Sequence, residues 1–383
     1  MKSVFIIFFI TTLLVYGSAN VYIFIRGYQA LPNLAPVKIS YTVIFLFAAL
    51  SFMVGMFFPR LLNIGIPYFI SWIGLLWFAL VLYLFMGTLL VDIVRLLNHF
   101  FNFLPSILHT HYNTVKLITA SSIFVISSLI LLCGYINAAT PKLKHIEINL
   151  NAGSGSLEKL ECLFMTDVHL GTIINQKRLS KIIEISNSVN PDIVLLGGDI
   201  VDQHINQLIE RNLGAMKTQF LSKYGVFGVL GNHEYFGGYK SVVEYFEKYD
   251  VKFLRDEFVV IDDSFILAGR HDRDMPRFLN TERKSLNEFI PSDRTLPVIL
   301  LDHQPIVDEA VKEKISLQLS GHTHDGQMWP MSLITDYIWK ISYGHKKIED
   351  THFFVSCGVG TWGPPIRIGN RPEIVHITIN FVD

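Results

Sequence analysis

Four apolar segments near the start of the chain limit what it can fold into. None contains an Asp, Glu, Lys or Arg residue, and they carry most of the excess that makes the 383-residue chain 50% hydrophobic. A helix needs about 20 apolar residues to span a bilayer. We therefore predict a membrane domain, residues 1–136, with four transmembrane helices at about 4–25, 39–58, 64–91 and 117–136.

Two other interpretations of these segments fit the pattern less well. The apolar run after Lys2 reaches the small residues Gly17, Ser18 and Ala19, as a secretory signal does, but the run then resumes with VYIFI. Core helices of a soluble domain seldom stay free of charge over such lengths.

The basic residues that flank the segments are equal in number on the two sides, so the positive-inside rule leaves the orientation open.

Charge argues against one class of partner, and the cysteines show no metal-binding or redox motif. The formal net charge is −1, and no cluster of basic residues is interleaved with aromatic ones, so we expect no nucleic-acid partner. The three cysteines, Cys133, Cys162 and Cys357, have no CxxC spacing and are expected in a membrane span and two strands. Three histidines lie between the third and fourth segments, where solvated imidazoles are the expectation; they are His99, His109 and His111.

The second half of the chain has a different pattern. The pattern of residues 137–158 predicts a linker with a possible first strand. From 159 to 383, short apolar runs such as DIVLLGGD and PVILLDHQ alternate with amphipathic stretches such as QKRLSKIIEISNSV. This alternation predicts an α/β domain with helices packed on sheet faces.

Several predicted strands are apolar until their carboxyl end, where a side chain able to bind a metal follows. Open α/β sheets place their sites at the carboxyl ends of strands, so we expect these side chains to converge. They are Asp167 and His169, Asp199, Asn232 and His233, His303, and His322 with His324.

The ligand types of this set indicate a site for two divalent ions. Imidazole, carboxylate and amide donors without a thiolate suit ions such as Mn, Fe, Zn, Co or Ni, and the set is larger than one ion needs. Asp199 is the expected bridge, because Gly197 and Gly198 have no side chains to obstruct two metals. Taken singly, two members also fit plainer roles, since Asp167 can cap a helix and His303 can be a hydrogen-bonded buried histidine.

In their order along the chain, the motifs resemble those of the calcineurin-like metallophosphoesterase superfamily. The tail GVGTWGPPIRIGNRPEI is similar to the bacterial branch that includes the YkuE and YaeI phosphoesterases, with N-terminal membrane helices. That branch usually reads GHTHGGQ, whereas Asp325 replaces a glycine here. The resemblance implies an αββα sandwich over residues 159–383. The matching motifs are DVH at 167–169, GGDIVD at 197–202, GNHE at 231–234, DHQP at 302–305 and GHTHDGQ at 321–327.

The resemblance also implies roles for individual residues. One metal would be held by Asp167, His169, Asp199 and His324, and the other by Asp199, Asn232, His303 and His322. His233 would be the general acid, and Asp202 would orient it and raise its pKa; the alternative for Asp202 is the N-cap of a helix predicted around 204–216. Arg367 is a candidate phosphate contact through its planar guanidinium, and a surface or core-edge arginine is the alternative.

We therefore expect a membrane-anchored phosphoesterase with two divalent ions, Mn, Fe or Zn, that hydrolyses a phosphate ester by metal-activated hydroxide. Four helices exceed what tethering requires, which favours a lipid or lipid-linked substrate. One alternative is a membrane sensor or scaffold that binds metal or phosphate without turnover; another is a nucleotide or cyclic-nucleotide phosphodiesterase. A multi-pass protein of a bacterial inner membrane is expected, with the side of the catalytic domain and the oligomeric state left open.

Overall fold

The structure is a computed structural model that describes residues 2–57, 66–171, 176–202 and 220–382. It divides into two units. One comprises Met1–Gly134 with Gly363–Pro365, and the other comprises Tyr135–Trp362 with Ile366–Asp383.

The first unit is helical. Three helices in the described part of the chain are long and apolar enough to cross a membrane, at Ala35–Gly55, Phe69–Phe101 and Tyr112–Ala138. The first predicted span lies within a helix of 29 residues that is not among these three, so its crossing of the bilayer stays a prediction. The helices are α1 (Lys2–Ala30), α2 (Ala35–Phe57), α3 (Ile66–Phe101), the short α4 (Ile107–Thr110) and α5 (Tyr112–Ala138).

Aromatic and branched side chains hold the first three helices together. Tyr16 and Ile23 of α1 share a buried cluster with Phe45 of α2 and with Val81 and Leu84 of α3. Residues outside this cluster are mostly exposed and apolar, as expected for helices whose solvent is hydrocarbon rather than water.

The second unit contains the twelve strands of the described residues and short helices between them. A strand, β1, occupies part of the predicted linker. The strands are β1 (Lys142–Asn151), β2 (Lys159–Met165), β3 (Ile193–Leu196), β4 (Val226–Gly228), β5 (Val251–Phe253), β6 (Glu257–Ile261), β7 (Phe265–Gly269), β8 (Val298–Leu301), β9 (Leu317–Ser320), β10 (Gly344–Ile348), β11 (Thr351–Val355) and β12 (Glu373–Val382). The helices are α6 (Gln176–Asn187), α7 (Asn232–Gly237), α8 (Tyr239–Glu247), α9 (Asp308–Lys312) and α10 (Met331–Ile338).

These strands form two mixed six-stranded sheets. The first has the order β1-β12-β2-β3-β4-β5, and the second has the order β10-β11-β9-β8-β7-β6. β2 to β5 run parallel in the first sheet, as do β7, β8, β9 and β11 in the second. The predicted mixed α/β class is confirmed, and the parallel strands direct their carboxyl ends toward common edges.

One apolar core joins the two sheets. Leu160 and Phe164 of β2 belong to the same buried cluster as Leu267 of β7, Leu301 of β8 and Leu319 of β9. The alternate residues of the second sheet, such as Ile266 and Leu300, pack in a separate cluster with Ala310 of α9. Since strand side chains alternate between faces, each sheet has one face toward the shared core and one toward helices.

Candidate metal centre

The predicted ligands all lie just beyond strands of the second unit. Asp167 and His169 follow β2, Asp199 follows β3, and Asn232 begins α7 after β4; His303 follows β8, and His322 and His324 follow β9. Two sheets therefore contribute to one place, and the structure brings together every sequence-predicted ligand. Except for half-buried His322, these side chains are buried.

One group consists of Asp167, His169 and His324, whose ligand atoms lie within 4.8 Å of one another. The Nε2 atoms of His169 and His324 are 3.1 Å apart, and His324 Nε2 is 3.3 Å from Asp167 Oδ1. A hydrogen bond between two of these atoms needs one hydrogen, and at most one can lie between each pair. Three ligand atoms this close to one another, each with a lone pair, therefore fit a shared cation better than a set of hydrogen bonds.

A second group consists of Asp199, His303 and His322. His303 Nδ1 donates a hydrogen bond of 2.8 Å to the Gly197 carbonyl, which leaves Nε2 with its lone pair 3.2 Å from Asp199 Oδ2. This is the usual arrangement of a metal-binding histidine, whose second nitrogen is held by a backbone acceptor. His322 Nδ1 is 3.0 Å from Asn232 Oδ1, which adds an amide oxygen to this group.

Asp199 is common to two groups, because it also lies with His169 and His233 in a third. The donors are imidazole nitrogens and carboxylate or amide oxygens, so the residues fit borderline divalent ions. His303 Nε2 and His169 Nδ1 are buried and have no conventional hydrogen-bond partner; the first of these is aimed at Asp199. An uncompensated polar atom of this kind is costly inside a protein, and bound cations would remove the cost at His303.

The protonation preferences of the histidines reflect the same crowding. Burial and the neighbouring His303 lower the pKa of His322 to about 4, so its imidazole is neutral and offers a lone pair. Burial, His169 and Arg367 lower the pKa of His324 well below its ordinary value. Burial lowers the pKa of His303, but the carboxylate of Asp199 outweighs burial and raises this pKa well above its ordinary value. The proton that Asp199 favours on the His303 imidazole occupies the place that a bound metal ion would take.

Backbone conformation sets the direction of the ligands. Left-handed φ angles occur at Asp167 (53°), His169 (50°), Asp199 (49°), His322 (71°) and His324 (50°). Such angles are uncommon in residues other than glycine and cost about 1–3 kcal/mol each. Their concentration in one place means that the surrounding loops hold the ligands against this local preference.

Two glycines allow the loops to approach one another. A Cβ atom at Gly321 would lie 2.2 Å from Asp167 Oδ2, and a Cβ atom at Gly198 would lie 2.7 Å from His303 Nδ1. Side chains at these positions would displace the ligands themselves.

Glu234 is a buried residue of the site to which sequence reasoning assigned no role. Its carboxylate accepts hydrogen bonds from the backbone amides of Gly231 at 2.7 Å, Val201 at 2.9 Å and Asp199 at 3.0 Å. The side chain thus ties the loop after β3 to the loop after β4. Its place in the GNHE motif was the available signal, but the three acceptor contacts depend on tertiary structure.

The predicted general acid, His233, lies at the opening of the site with 16% of its side chain exposed. Its Nδ1 atom is 2.9 Å from the Asp202 backbone carbonyl and 3.6 Å from that residue's carboxylate. Burial lowers its pKa, but the carboxylate of Asp199 and the Asp202 contacts outweigh burial and raise it. The carbonyl, rather than the predicted carboxylate, therefore makes the orienting hydrogen bond.

The Asp202 carboxylate is also 3.5 Å from His169 Nδ1. It thus lies between two imidazoles of the site. The helix that Asp202 was alternatively predicted to cap, around 204–216, lies outside the described residues.

Arg367 has a different environment from the predicted phosphate contact. Its side chain is fully buried, and Nη2 donates to the Gly360 carbonyl at 2.6 Å and lies 3.3 Å from the Gly358 carbonyl. The same atom is 3.2 Å from His324 Nδ1. The guanidinium thus supports the loop behind His324, and its donors are directed to backbone oxygens, to Asn370 Oδ1 and to His324 Nδ1.

An α/β domain with buried clusters of imidazoles and carboxylates at the carboxyl ends of its parallel strands is typical of metal-dependent hydrolases. The chain belongs to the calcineurin-like phosphoesterase family, whose model matches residues 161–326. The resemblance found in the sequence is thereby confirmed.

Relatives extend this assignment. An uncharacterized metallophosphoesterase of Campylobacter jejuni is 31% identical over 98% of this chain and 99% of its own length. Another from Helicobacter pylori is 33% identical over 64% of this chain and 65% of its own length. The chain thus spans slightly less than two thirds of that relative's length.

Two further relatives bear on the branch and on the membrane helices. A zebrafish transmembrane protein with metallophosphoesterase domain is 30% identical over 67% of this chain and 61% of its own length. The uncharacterized metallophosphoesterase YkuE of Bacillus subtilis is 26% identical over 56% of this chain and 77% of its own length. Together with the three apolar helices, these likenesses support a membrane protein with a metallophosphoesterase domain.

Proposed function

We propose that the chain is a membrane-anchored phosphoesterase with two divalent metal ions. The observation that carries the proposal is the position of Asp199, which shares one ligand group with His303 and His322 and another with His169 and His233. A carboxylate between two groups of ligands is the arrangement needed to bridge two cations.

The residues divide between two positions. Asp167, His169 and His324 would hold one ion, and Asn232, His303 and His322 would hold the other, with Asp199 bridging both. When bound, two such ions supply an activated water near neutral pH and offset the charge of the phosphoryl oxygens. Mn, Fe and Zn suit the donor set.

The chain's own residues control the proton needed by the leaving group. His233 Nδ1 donates to the Asp202 carbonyl, which directs Nε2 away from that contact. Its raised pKa favours the doubly protonated imidazole, which can give the Nε2 proton to the departing alkoxide oxygen. The backbone amide of His233 donates to Asp199 Oδ1 at 2.9 Å. This hydrogen bond fixes the position of the proposed acid relative to the bridging carboxylate.

The proposed substrate is a lipid or lipid-linked phosphoester in the membrane that the chain occupies. Three helices long and apolar enough to cross a bilayer support this class, since a soluble phosphoester would not require so large an anchor. The proposed location is the inner membrane of a bacterial cell.

The first test is hydrolysis of bis-p-nitrophenyl phosphate by detergent-purified chain that has been stripped of metal and then given Mn, Zn or Mg. Wild type and a His345→Gln control, which changes a histidine on β10 outside the site, are expected to regain activity. Asp199→Asn and His233→Ala are expected to lose it by about 100-fold or more.

Other outcomes would support the alternatives. Bound metal without turnover by wild type on any activated ester would favour the sensor or scaffold. Turnover of nucleotides or cyclic nucleotides with every phospholipid ignored would favour the nucleotide phosphodiesterase.

A further inference from the structure

The helix α10, which follows the GHTHDGQ motif, has an apolar face in solvent. Leu333, Ile334, Tyr337 and Ile338 are 62%, 51%, 91% and 63% exposed, and no residue of this helix is buried. Positions separated by three and four residues lie on one side of a helix, so these four side chains form a continuous surface. We call this surface, with the exposed Trp329 and Trp362, the aromatic face.

Contiguous exposed apolar side chains of this size mark a site of interaction. The residue types also indicate the partner. Trp and Tyr are enriched where a protein meets the boundary between lipid headgroups and acyl chains, and helices that lie in this boundary present a Leu- and aromatic-rich side to it.

The aromatic face is linked to the end of a candidate membrane span. Asn137, in the last turn of α5, donates hydrogen bonds to the backbone carbonyls of Arg367 at 3.0 Å and Asn370 at 2.7 Å. Between these two acceptors, Ile368 accepts a hydrogen bond of 2.7 Å from the backbone amide of Trp329, just before α10. The point where α5 ends and the start of the aromatic face are therefore joined through one short loop.

Exposed basic residues lie near the same place. Lys142 begins β1, shortly after the end of α5, and Arg371 donates to the Thr140 carbonyl at 3.2 Å. Lys340 follows the end of α10 and pairs with the Asp308 carboxylate, and all three basic residues are exposed. Basic side chains beside an aromatic surface suit the anionic headgroups of a bilayer.

The same loop reaches the candidate metal centre. Asn370 Nδ2 donates to the backbone carbonyls of His324 at 3.0 Å and Asp325 at 2.9 Å. At the other end of α10, the Trp339 ring lies 5.5 Å from the ring of His322, centroid to centroid. The helix α10 is thus linked to His324 through the loop before it and contacts His322 through Trp339 at its end.

We propose that α10, with Trp329 and Trp362, lies in the headgroup and acyl boundary of the bilayer into which α5 extends. The aromatic face then holds the GHTH loop at the membrane surface, and the partner is the lipid itself. This contact with lipid does not depend on enzymatic activity. Its use in presenting a lipid-linked phosphoester to the metals rests on the proposed function.

The test uses the full chain in vesicles of phosphatidylethanolamine and phosphatidylglycerol. Cys133, the exposed one of the three cysteines, is replaced by Ser, and a nitroxide label is attached to Ile338→Cys or Leu333→Cys. The matched control is Val260→Cys, 46% exposed on edge strand β6. We expect the α10 labels to be several-fold more accessible to molecular oxygen, and less accessible to a water-soluble nickel complex, than the control.

Equal accessibility at Ile338 and Val260 would overturn the proposal. Protection of the α10 labels from both reagents would also overturn it, because a second copy of the chain or another protein would then cover the aromatic face. The readout needs no turnover, so the same measurement on an Asp199→Asn chain separates this proposal from the proposed function. Retained metal in the labelled chains shows that they are folded.

Discussion

The carboxylate of Glu234 accepts a hydrogen bond of 3.0 Å from the backbone amide of Asp199. The amide hydrogen belongs to a residue with a left-handed φ of 49°, so the acceptor stabilises a backbone conformation that aspartate seldom adopts. The bridging carboxylate is thus held in place from its backbone side, by a residue outside both proposed sets of metal ligands.

We therefore expect Glu234→Gln to weaken both folding and metal binding. Glutamine has one acceptor oxygen and would direct an amide hydrogen toward backbone donors, which leaves at least one buried group unpaired and costs about 1–3 kcal/mol. Thermal unfolding and metal content of detergent-purified protein measure the two effects. Glu244→Gln, on an exposed side of α8, is the control, and equal behaviour of the two variants would contradict the role of Glu234.

The geometry of Asp202 predicts that its carboxylate matters less than its carbonyl. Asp202→Asn keeps the carbonyl that accepts from His233 Nδ1, so we expect a loss of activity below about tenfold at saturating metal. His233→Ala removes the proton donor and should cost about 100-fold or more in kcat. If Asp202→Asn proves as damaging as His233→Ala, the carboxylate rather than the carbonyl positions the acid.

Arg367 gives a prediction in which stability and substrate affinity respond differently. Arg367→Lys loses the planar set of donors that reaches the Gly358 and Gly360 carbonyls, and we expect the free energy of unfolding to fall by about 1–3 kcal/mol. The KM of the folded fraction should stay near that of wild type. Arg371→Lys is the exposed control. A raised KM at unchanged stability would instead restore the phosphate contact predicted from the sequence.

Asp325 occupies a position where glycine is conformationally favoured. Its φ and ψ angles are 50° and 41°, so Asp325→Gly should be tolerated, whereas Asp325→Ala should be the less stable of the two by about 1 kcal/mol. Removing a carboxylate beside the site should also lower KM for an anionic ester in the glycine variant. Steady-state kinetics and thermal unfolding of both variants test these expectations, and a glycine variant with a higher KM would oppose them.

Metal removal should destabilise the second unit, which contains the candidate metal centre. Ions that bind only the folded state stabilise it by about 2.7 kcal/mol when present at 100 times their Kd, so chelation is expected to lower Tm and added Mn or Zn to restore it. His233→Ala should retain most of this shift, because its imidazole is outside both proposed ligand sets. Asp199→Asn should lose most of it. A shift of equal size in wild type and Asp199→Asn would speak against the bridging role.

The positions of the ligands are largely predictable from the sequence. Buried parallel strands give unbroken apolar runs, so the residue that ends each run, such as Asp199 or His303, is visible as a polar interruption. Their convergence follows from the rule that parallel strands end at the same edge. Ligands from different sheets also meet, since the backbone amide of His322 donates to Asp167 Oδ2 at 3.0 Å.

Contacts that depend on distant segments are not predictable in this way. The acceptors of Arg367 lie in a loop whose path is set by tertiary packing. The PPIRIG motif is therefore equally compatible with an exposed and with a buried arginine. Asn137 and Asn370 are 233 residues apart, and neither stands in a pattern that suggests the other. Glu234 stands in the GNHE motif, but nothing in the sequence indicates the three backbone amides that its carboxylate accepts from.

The pairing of β1 with β12 has a consequence for how the protein is made. Residues that face each other across this pair, such as His145 and His376, are 231 positions apart, and β12 also separates β1 from β2 in the sheet. A ribosome adds about 5–20 residues per second, so β1 waits roughly ten to fifty seconds for its neighbour to be synthesised. The apolar helices precede β1 in the chain, so the second unit can complete its first sheet only after all of the candidate membrane spans have been synthesised.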